Sequence, residues 1–396
     1  MLRFLTAGES HGPSLSVIVE GLPAGLDLNE EEISAELARR RLGFGRGPRM
    51  RFERDVVRLI GGVRHGRTLG SPVSIEILNS EWPKWEQEMS AAAGTPSKRL
   101  TAPRPGHADL AGMLKYGFDD ARDVLERASA RETAARVVAG RLAKALLATI
   151  GVHIVSHVIR IGAVETPVGL RPLPSDLAIV DDSEVRCFDP SSEAAMIVEI
   201  KAAAKDGDSL GGIIEVVAYG VPVGLGSYVH WDRKLDGLLA GALMSIQAVK
   251  AVEIGDGMVQ ASQRGSVAHD AIARDEEFVR GGGYIRRSDH AGGLEGGVSS
   301  GAPIIAKVAM KPLATLNRPV LETVDVATGE STISFKERTD VTAVPAMGVV
   351  SEAMMALVLA GEALRKFGGD SVEEFVRNHD SYVAHLGTTV SAARSD

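Results

Sequence analysis

Apolar and polar positions alternate with the two-residue period of a half-buried strand through residues 14–20 (SLSVIVE), 56–63, 73–78 (VSIEIL), 213–219 and 303–310. Helical patterning predicts four longer elements. Asn29 precedes Glu30, Glu31 and Glu32, and Arg39, Arg40 and Arg41 close the same segment, so an N-cap and both ends of the helix dipole agree on one helix. A second helix is predicted from Asp119 or Asp120 to about Ile150, stopped by Gly151. A third runs over 235–254 ahead of Gly255, and a fourth over 345–367, ended by Gly368 and Gly369. Residues 91–105 (AAAGTPSKRLTAPRP) read as a long loop, and the small, polar stretch from His385 reads as a mobile tail.

Strands and helices do not alternate regularly, which favours an α+β fold with mostly antiparallel sheet over a doubly wound one. The longest apolar stretch, 343–360, is interrupted by Glu352 and followed by Glu362, Arg365 and Lys366, so it reads as a buried helix and not a membrane span. No repeat divides the 396 residues, and one domain is expected. Forty-four Lys and Arg against 52 Asp and Glu leave a formal charge of −8, a poor surface for nucleic-acid phosphates. The one cysteine, Cys187, cannot form an intrachain disulfide and fits a reducing compartment. The N-terminal MLRFLTAGESHG lacks a secretory apolar segment, so a cytoplasmic location is expected.

Against that acidic background, residues 39–54 (RRRLGFGRGPRMRFER) hold seven Arg in 16 residues, with glycine at 43, 45 and 47. Arginine favours bidentate contacts with phosphate and carboxylate, and glycine lets backbone N–H groups approach a ligand closely, so this is a candidate anion site. A solvated basic face is the bland alternative. Two loop histidines, His11 in GESHG and His107 in RPGHAD, are candidate acids or bases, or else ordinary turn residues. Within the predicted second helix, Arg127 and Arg131 stand at i, i+4, with Glu126 and Glu132 as possible surface partners. The glycine-rich run 292–297 is either a ligand wall or a hairpin turn. Asp340, just ahead of the fourth helix, is a cap, an ion-pair partner or a base. No HExxH, Cys/His cluster, Walker A or dinucleotide fingerprint is present, so no metal is expected.

In order along nearly the whole chain, the blocks GESHG, RRRLGFGRG, RPGHAD, KYGFDDARDVLERASARETAARV, SIQAVKAVEIGDG, HAGGLEGGVSSG, KPLAT and RTDVTAVPA closely resemble the chorismate synthase family. That resemblance implies a β-α-β sandwich, two antiparallel sheets packed with helices, assembled as a homotetramer. It implies a carbon–oxygen lyase of the shikimate pathway, which serves aromatic amino-acid biosynthesis. The reaction is a 1,4-elimination of phosphate from 5-enolpyruvylshikimate 3-phosphate to chorismate, requiring reduced FMN without net redox change. NADPH enters only indirectly, through an external flavin reductase that reduces the FMN.

By the same resemblance, Ser10, Arg40, Arg46, Arg49, Arg104, Ser129 and Arg131 form the substrate site. His107 protonates the departing phosphate, and His11 holds a proton near the flavin N1–C2 edge. Asp340 takes the substrate proton, relayed through flavin N5. The flavin lies against Arg127, Ala128, Ser129, Gln247, Ala248, Gly296, Lys311, Pro312, Leu313, Ala314, Thr315 and Arg338. Asp289 and Ser300 stand where the family commonly has Asn, and Asp289 would add negative charge near the flavin wall. Three other readings are a non-catalytic flavin- or phosphate-binding protein, an NADPH-dependent flavin reductase and a structural assembly protein. Intact His11, His107 and Asp340 weigh against the first. The third leaves the Arg-rich loop unexplained.

Overall fold

The computed structural model describes residues 2–46, 55–97, 99–335 and 339–392, with side chains through 386. Arg49 and Arg338 lie outside the described residues. The first antiparallel sheet holds β1 (Arg3–Ala7), β2 (Ser14–Glu20), β3 (Val56–Gly61) and β4 (Val73–Leu78) in the order β1-β2-β4-β3. The second holds β5 (His153–Ile161), β6 (Val164–Glu165), β7 (Gly212–Tyr219), β8 (Val249–Ile254) and β9 (Ile304–Met310) in the order β8-β9-β7-β5-β6, again antiparallel throughout. The period-two pattern buries Leu15, Val17 and Val19 of β2 and Val73, Ile75 and Ile77 of β4 on one face.

Helices fill the space between the sheets, so the architecture is the expected α+β, β-α-β sandwich. α1 (Glu30–Arg41) starts where Asn29 Oδ1 accepts the Glu32 backbone N–H at 2.8 Å. α2 (Asp109–Tyr116) and α3 (Arg122–Ala128) form a small pair. α4 (Thr133–Ala148) packs on β2, and α7 (Val344–Phe367) packs on β5 and β7. α4 and α7 also pack on each other, and Gly140 sets how closely: a Cβ there would stand 2.2 Å from Ala353 Cβ. The remaining long helices are α5 (Pro190–Asp206), α6 (Leu235–Met244) and α8 (Val372–Ala392). Among the described residues α7 alone is long and apolar enough to cross a membrane, and it is buried inside the fold.

Glu352, the charge that interrupts the apolar stretch, sits fully buried on α7. It accepts from Arg39 at 2.8 and 3.1 Å, Lys144 at 2.6 Å, Ser156 Oγ at 2.7 Å and Arg186 at 3.2 Å. Glu36 and Asp181 pair with the same cations. Burial alone would push the Glu352 carboxyl up, but Arg39, Lys144 and Arg186 outweigh it and hold the group far below the usual carboxylate range. Next to Arg186, the Cys187 thiol is buried and pushed up to about 11.

Three sequence expectations are corrected. The helix predicted from Asp119 or Asp120 to Ile150 is two helices with a break at Ser129, whose backbone is extended (φ −61°, ψ 143°). Its hydroxyl accepts the Arg131 backbone N–H at 3.3 Å and starts the new turn, the alternative that serine offers a helix interior. The predicted 235–254 helix stops at Met244, and β-branched Val249, Val252 and Ile254 join the sheet as β8. α8 carries the chain to Ala392, so the stretch from His385 begins inside a helix.

Candidate active site

The break at Ser129 separates Arg127 from Arg131, so they do not share a helical face. Arg127 turns back to β1 and donates to Thr6 O at 2.9 Å, Thr6 Oγ1 at 2.6 Å and Gly8 O at 3.1 Å. Arg131 pairs instead with buried Asp55, which also faces Arg40 at 4.0 Å. Arg40 reaches Thr133 Oγ1 at 3.4 Å. Ser129 Oγ bonds Ser10 Oγ at 3.2 Å, joining two expected substrate ligands. Ala128, between Arg127 and Ser129, is half-buried at the end of α3.

Glu126 is not a surface partner of these arginines. It is buried and clamps the GESHG loop, accepting the His11 backbone N–H at 2.8 Å and His11 Nδ1 at 2.8 Å, with Arg122 at 3.0 Å. Burial pushes the Glu126 carboxyl up, and the His11 and Arg122 interactions more than reverse it. The His11 ring also lies over Trp85, with centroids 4.0 Å apart.

The RPGHAD loop is built the same way. His107 Nδ1 lies 2.5 Å from Asp109 Oδ1. Asp109 also accepts Arg104 Nε at 2.8 Å, Arg104 Nη2 at 3.0 Å and the Arg104 backbone N–H at 3.1 Å. Here too burial raises the carboxyl and the bonds from His107 and Arg104 overcome it, holding Asp109 well below the usual range. Arg104 Nη1 continues to Thr315 Oγ1 at 2.9 Å, and its guanidinium stands 4.9 Å over the Phe335 ring. Expected as a substrate ligand, Arg104 is buried, its guanidinium donates to Asp109 and Thr315, and it stands beside His107.

The Lys311–Thr315 strip ties these parts together. Lys311 Nζ donates to Gly106 O beside His107, and its backbone N–H donates to Ala248 O at 3.0 Å. Leu313 O accepts Ser209 Oγ at 2.8 Å, with Pro312 exposed and Ala314 half-buried alongside. Ala248 holds a left-handed φ of 65°, unusual for a residue with a Cβ. Beside it Gln247 Nε2 donates to Glu132 Oε2 at 3.0 Å, and Glu132 accepts Thr6 Oγ1 at 2.9 Å. A path of hydrogen bonds and chain neighbours thus runs from Gly106, beside His107, through Lys311, Ala248, Gln247, Glu132 and Thr6 to Arg127. A groove of about 400 Å³ opens at its Gln247 and Arg127 end, lined by Thr6, Arg127, Glu132, Arg136 and Gln247 among others. Gln247 Oε1 is buried there with no hydrogen-bond partner among the described residues.

Arg46 Nε pairs with Asp340 Oδ2 at 2.9 Å. The adjoining Val341 N–H donates to Gly45 O at 2.8 Å, and Val341 O accepts the Leu210 N–H at 2.7 Å, next to Ser209. Gly45 is required in this turn: φ is +85°, and a Cβ would stand 2.8 Å from Ile200 Cγ2. Gly296 is not brought to the others. Its 294–299 hairpin packs at the start of α6, where Gly297 O accepts the Leu235 N–H at 2.9 Å. Gln247 follows the other end of that helix, about 15 Å away for ten residues. Asp289 pairs with Arg171 at 3.0 Å, so its charge is matched, and Ser300 Oγ bonds Gly293 O at 3.1 Å.

Asp109, Glu126, Asp55 and Arg122 join the site only through the fold. Asp109 had a signal, a carboxylate two residues after a loop histidine. Glu126 lies 115 positions from His11 and had none. Among the described residues no cluster suits a metal ion.

Known proteins similar to this chain share one description. A family profile described as chorismate synthase matches residues 2–364. The chain is 59% identical over 396 residues to chorismate synthase of Parafrankia sp. (strain EAN1pec), covering 98% of this chain and 99% of that one. It is 60% identical over 397 residues to chorismate synthase of Frankia alni, with the same coverage. A crystal structure of chorismate synthase superposes with a TM-score of 0.78 at 41% identity, covering 98% of both chains.

Proposed function

The chain belongs to the chorismate synthase family, and from that premise we propose that it eliminates phosphate from 5-enolpyruvylshikimate 3-phosphate to give chorismate. The observation that carries the reading is the pair of loop imidazoles, His11 and His107, each gripped at Nδ1 by a buried carboxylate beside an arginine. A carboxylate is only an acceptor, so each Nδ1 carries its proton toward it and Nε2 is the working atom.

His107 Nε2 gives a proton to the departing phosphate, which then leaves with less charge. Arg46, Arg40 and Arg131 bind the substrate's phosphate and carboxylates, with Ser10 and Ser129 beside them. Asp340 accepts the proton lost from the substrate ring. His11 Nε2 holds a proton against negative charge at the cofactor edge.

The residues present fit reduced FMN: the orphaned Gln247 Oε1 can accept from a ring N–H, and Arg127 borders the same groove. Gln247, Ala248, Arg127, Ala128, Ser129 and Lys311–Thr315 would hold it. When bound, reduced FMN supplies a transient electron that helps the phosphate leave, and it is recovered at the end. A separate reductase drawing on NADPH keeps it reduced, and the enzyme works in the cytoplasm as a homotetramer. Exposed Leu5, Ile18, Val56 and Ile60 on the outer face of the first sheet support assembly.

The test is anaerobic turnover with dithionite-reduced FMN, following phosphate and chorismate together. Equal appearance of both, absent with oxidised FMN, is expected. Bound ligands without product would overturn the reading.

A further inference from the structure

Asp109 is not among the residues expected to hold substrate or cofactor, yet it is fully buried at the first position of α2, where the helix dipole favours a negative charge. One carboxylate oxygen faces His107 Nδ1 at 2.5 Å, and both oxygens accept from Arg104. Arg104 is fixed in turn by Thr315 at 2.9 Å. Among the described residues, the charged groups around His107 are therefore Asp109, Arg104, whose Nη2 stands 3.1 Å from Nδ1, and Lys311, bonded to Gly106 O. Two are cations. Without Asp109 the imidazolium would face these two cations with no carboxylate between.

We propose that Asp109 is the positioning residue of His107: it fixes the ring through Nδ1–H and makes Nε2 the atom that carries the transferable proton. This rests on the role given to His107 above. In the step, the Nε2–H bond breaks and an O–H bond forms on the phosphate as the carbon–oxygen bond breaks. The N–H electron pair stays on Nε2, the carbon–oxygen pair leaves with the phosphate, and the ring becomes neutral. Nδ1–H and the Asp109 carboxylate are unchanged throughout. Arg104 then serves chiefly to keep Asp109 ionised and aimed.

The experiment is a double-mutant cycle on the intact enzyme under the anaerobic assay: wild type, Asp109→Asn, His107→Ala and the double variant, with kcat followed against pH. Asp109→Asn is expected to lower kcat about 10–100-fold, as loss of an orienting partner does, with KM little changed. The double variant should be no slower than His107→Ala, because Asp109 acts only through that ring. The alkaline fall of kcat should move to lower pH in Asp109→Asn, since Arg104 and Lys311 then oppose protonation of His107. Wild-type speed in Asp109→Asn, or losses that multiply in the double variant, would overturn the proposal. Should Asp109→Asn lose its near-ultraviolet circular dichroism, Asp109→Ser, which also removes the charge, takes its place and the same criteria decide. A wild-type protein that makes no chorismate would overturn the functional reading itself, a result separate from either of these.

Discussion

Replacing Glu352 by Gln removes one charge from the centre of the sandwich at nearly constant volume. Glu352 is fully buried, and Arg39, Lys144, Arg186 and Ser156 all point at it. After the change Arg39 keeps Glu36 and Asp181, Lys144 keeps Glu36, and Arg186 keeps Asp181 as its one carboxylate, with Ser156 O at 3.2 Å. An amide has one acceptor oxygen for these donors, and its own N–H₂ must face a cation. Removing one partner from a buried ionic cluster costs about 3–5 kcal/mol, because the uncompensated charge stays buried. Unfolding entropy of about 2.1 cal/mol/K per residue, taken over 396 residues, gives about 0.8 kcal/mol/K. The expected fall in Tm is therefore about 4–6 °C. Urea unfolding and thermal melting by circular dichroism at fixed protomer concentration would measure it.

The pH dependence supplies a second check. Because the native Glu352 carboxyl is depressed, its contribution is full above the ordinary value of 4.5 and is lost as the pH falls below it. The gap between wild type and variant should shrink in acid. A Glu352→Gln protein within 1 kcal/mol of wild type at pH 7, or a gap that widens in acid, would refute the reasoning.

Gly140→Ala forces a Cβ to 2.2 Å from Ala353 Cβ and should cost at least the ~1–3 kcal/mol of ordinary overpacking, read from urea unfolding. Arg46→Ala removes a charged donor and should raise substrate KM by about 10–150-fold, equivalent to ~1.5–3 kcal/mol, with little change in Tm. Asp289→Asn should leave FMN affinity within about twofold and stability within ~0.5 kcal/mol, because its partner Arg171 keeps Glu215 at 2.7 Å and Asp289 is half exposed. Fluorescence titration of FMN checks the last.

The parts legible in sequence were those in which local and tertiary preferences agree. Asn29, the three glutamates and the three arginines describe α1 completely, and the alternation in 14–20 and 73–78 yields β2 and β4 with the correct buried face. What misled was continuity of helix propensity. Residues 120–150 are rich in Ala, Leu, Glu and Arg, so Ser129 alone gave no reason to stop, and its bond to Ser10 comes from a loop more than a hundred residues earlier. In 235–254 the helix formers run into a β-branched segment whose partner strand, β9, is about 50 residues later. The site divides likewise. His11, His107, Arg46 and Arg104 stand in glycine-marked loops and could be picked out. Glu126 and Asp55 are meaningful only through partners that the fold brings to them.

Cys187 has a practical consequence. It is the chain's sole thiol, it is buried, and its high pKa keeps it protonated at neutral pH. A native molecule should therefore react with alkylating reagents only when the chain around Arg186 opens, as expected for a protonated, shielded sulfur. The protein thus carries its own single-site reporter of local opening beside the Glu352 cluster, with no label to engineer. Because no second thiol competes, the rate of mass gain on alkylation reads that opening directly, and loosening the cluster should quicken it.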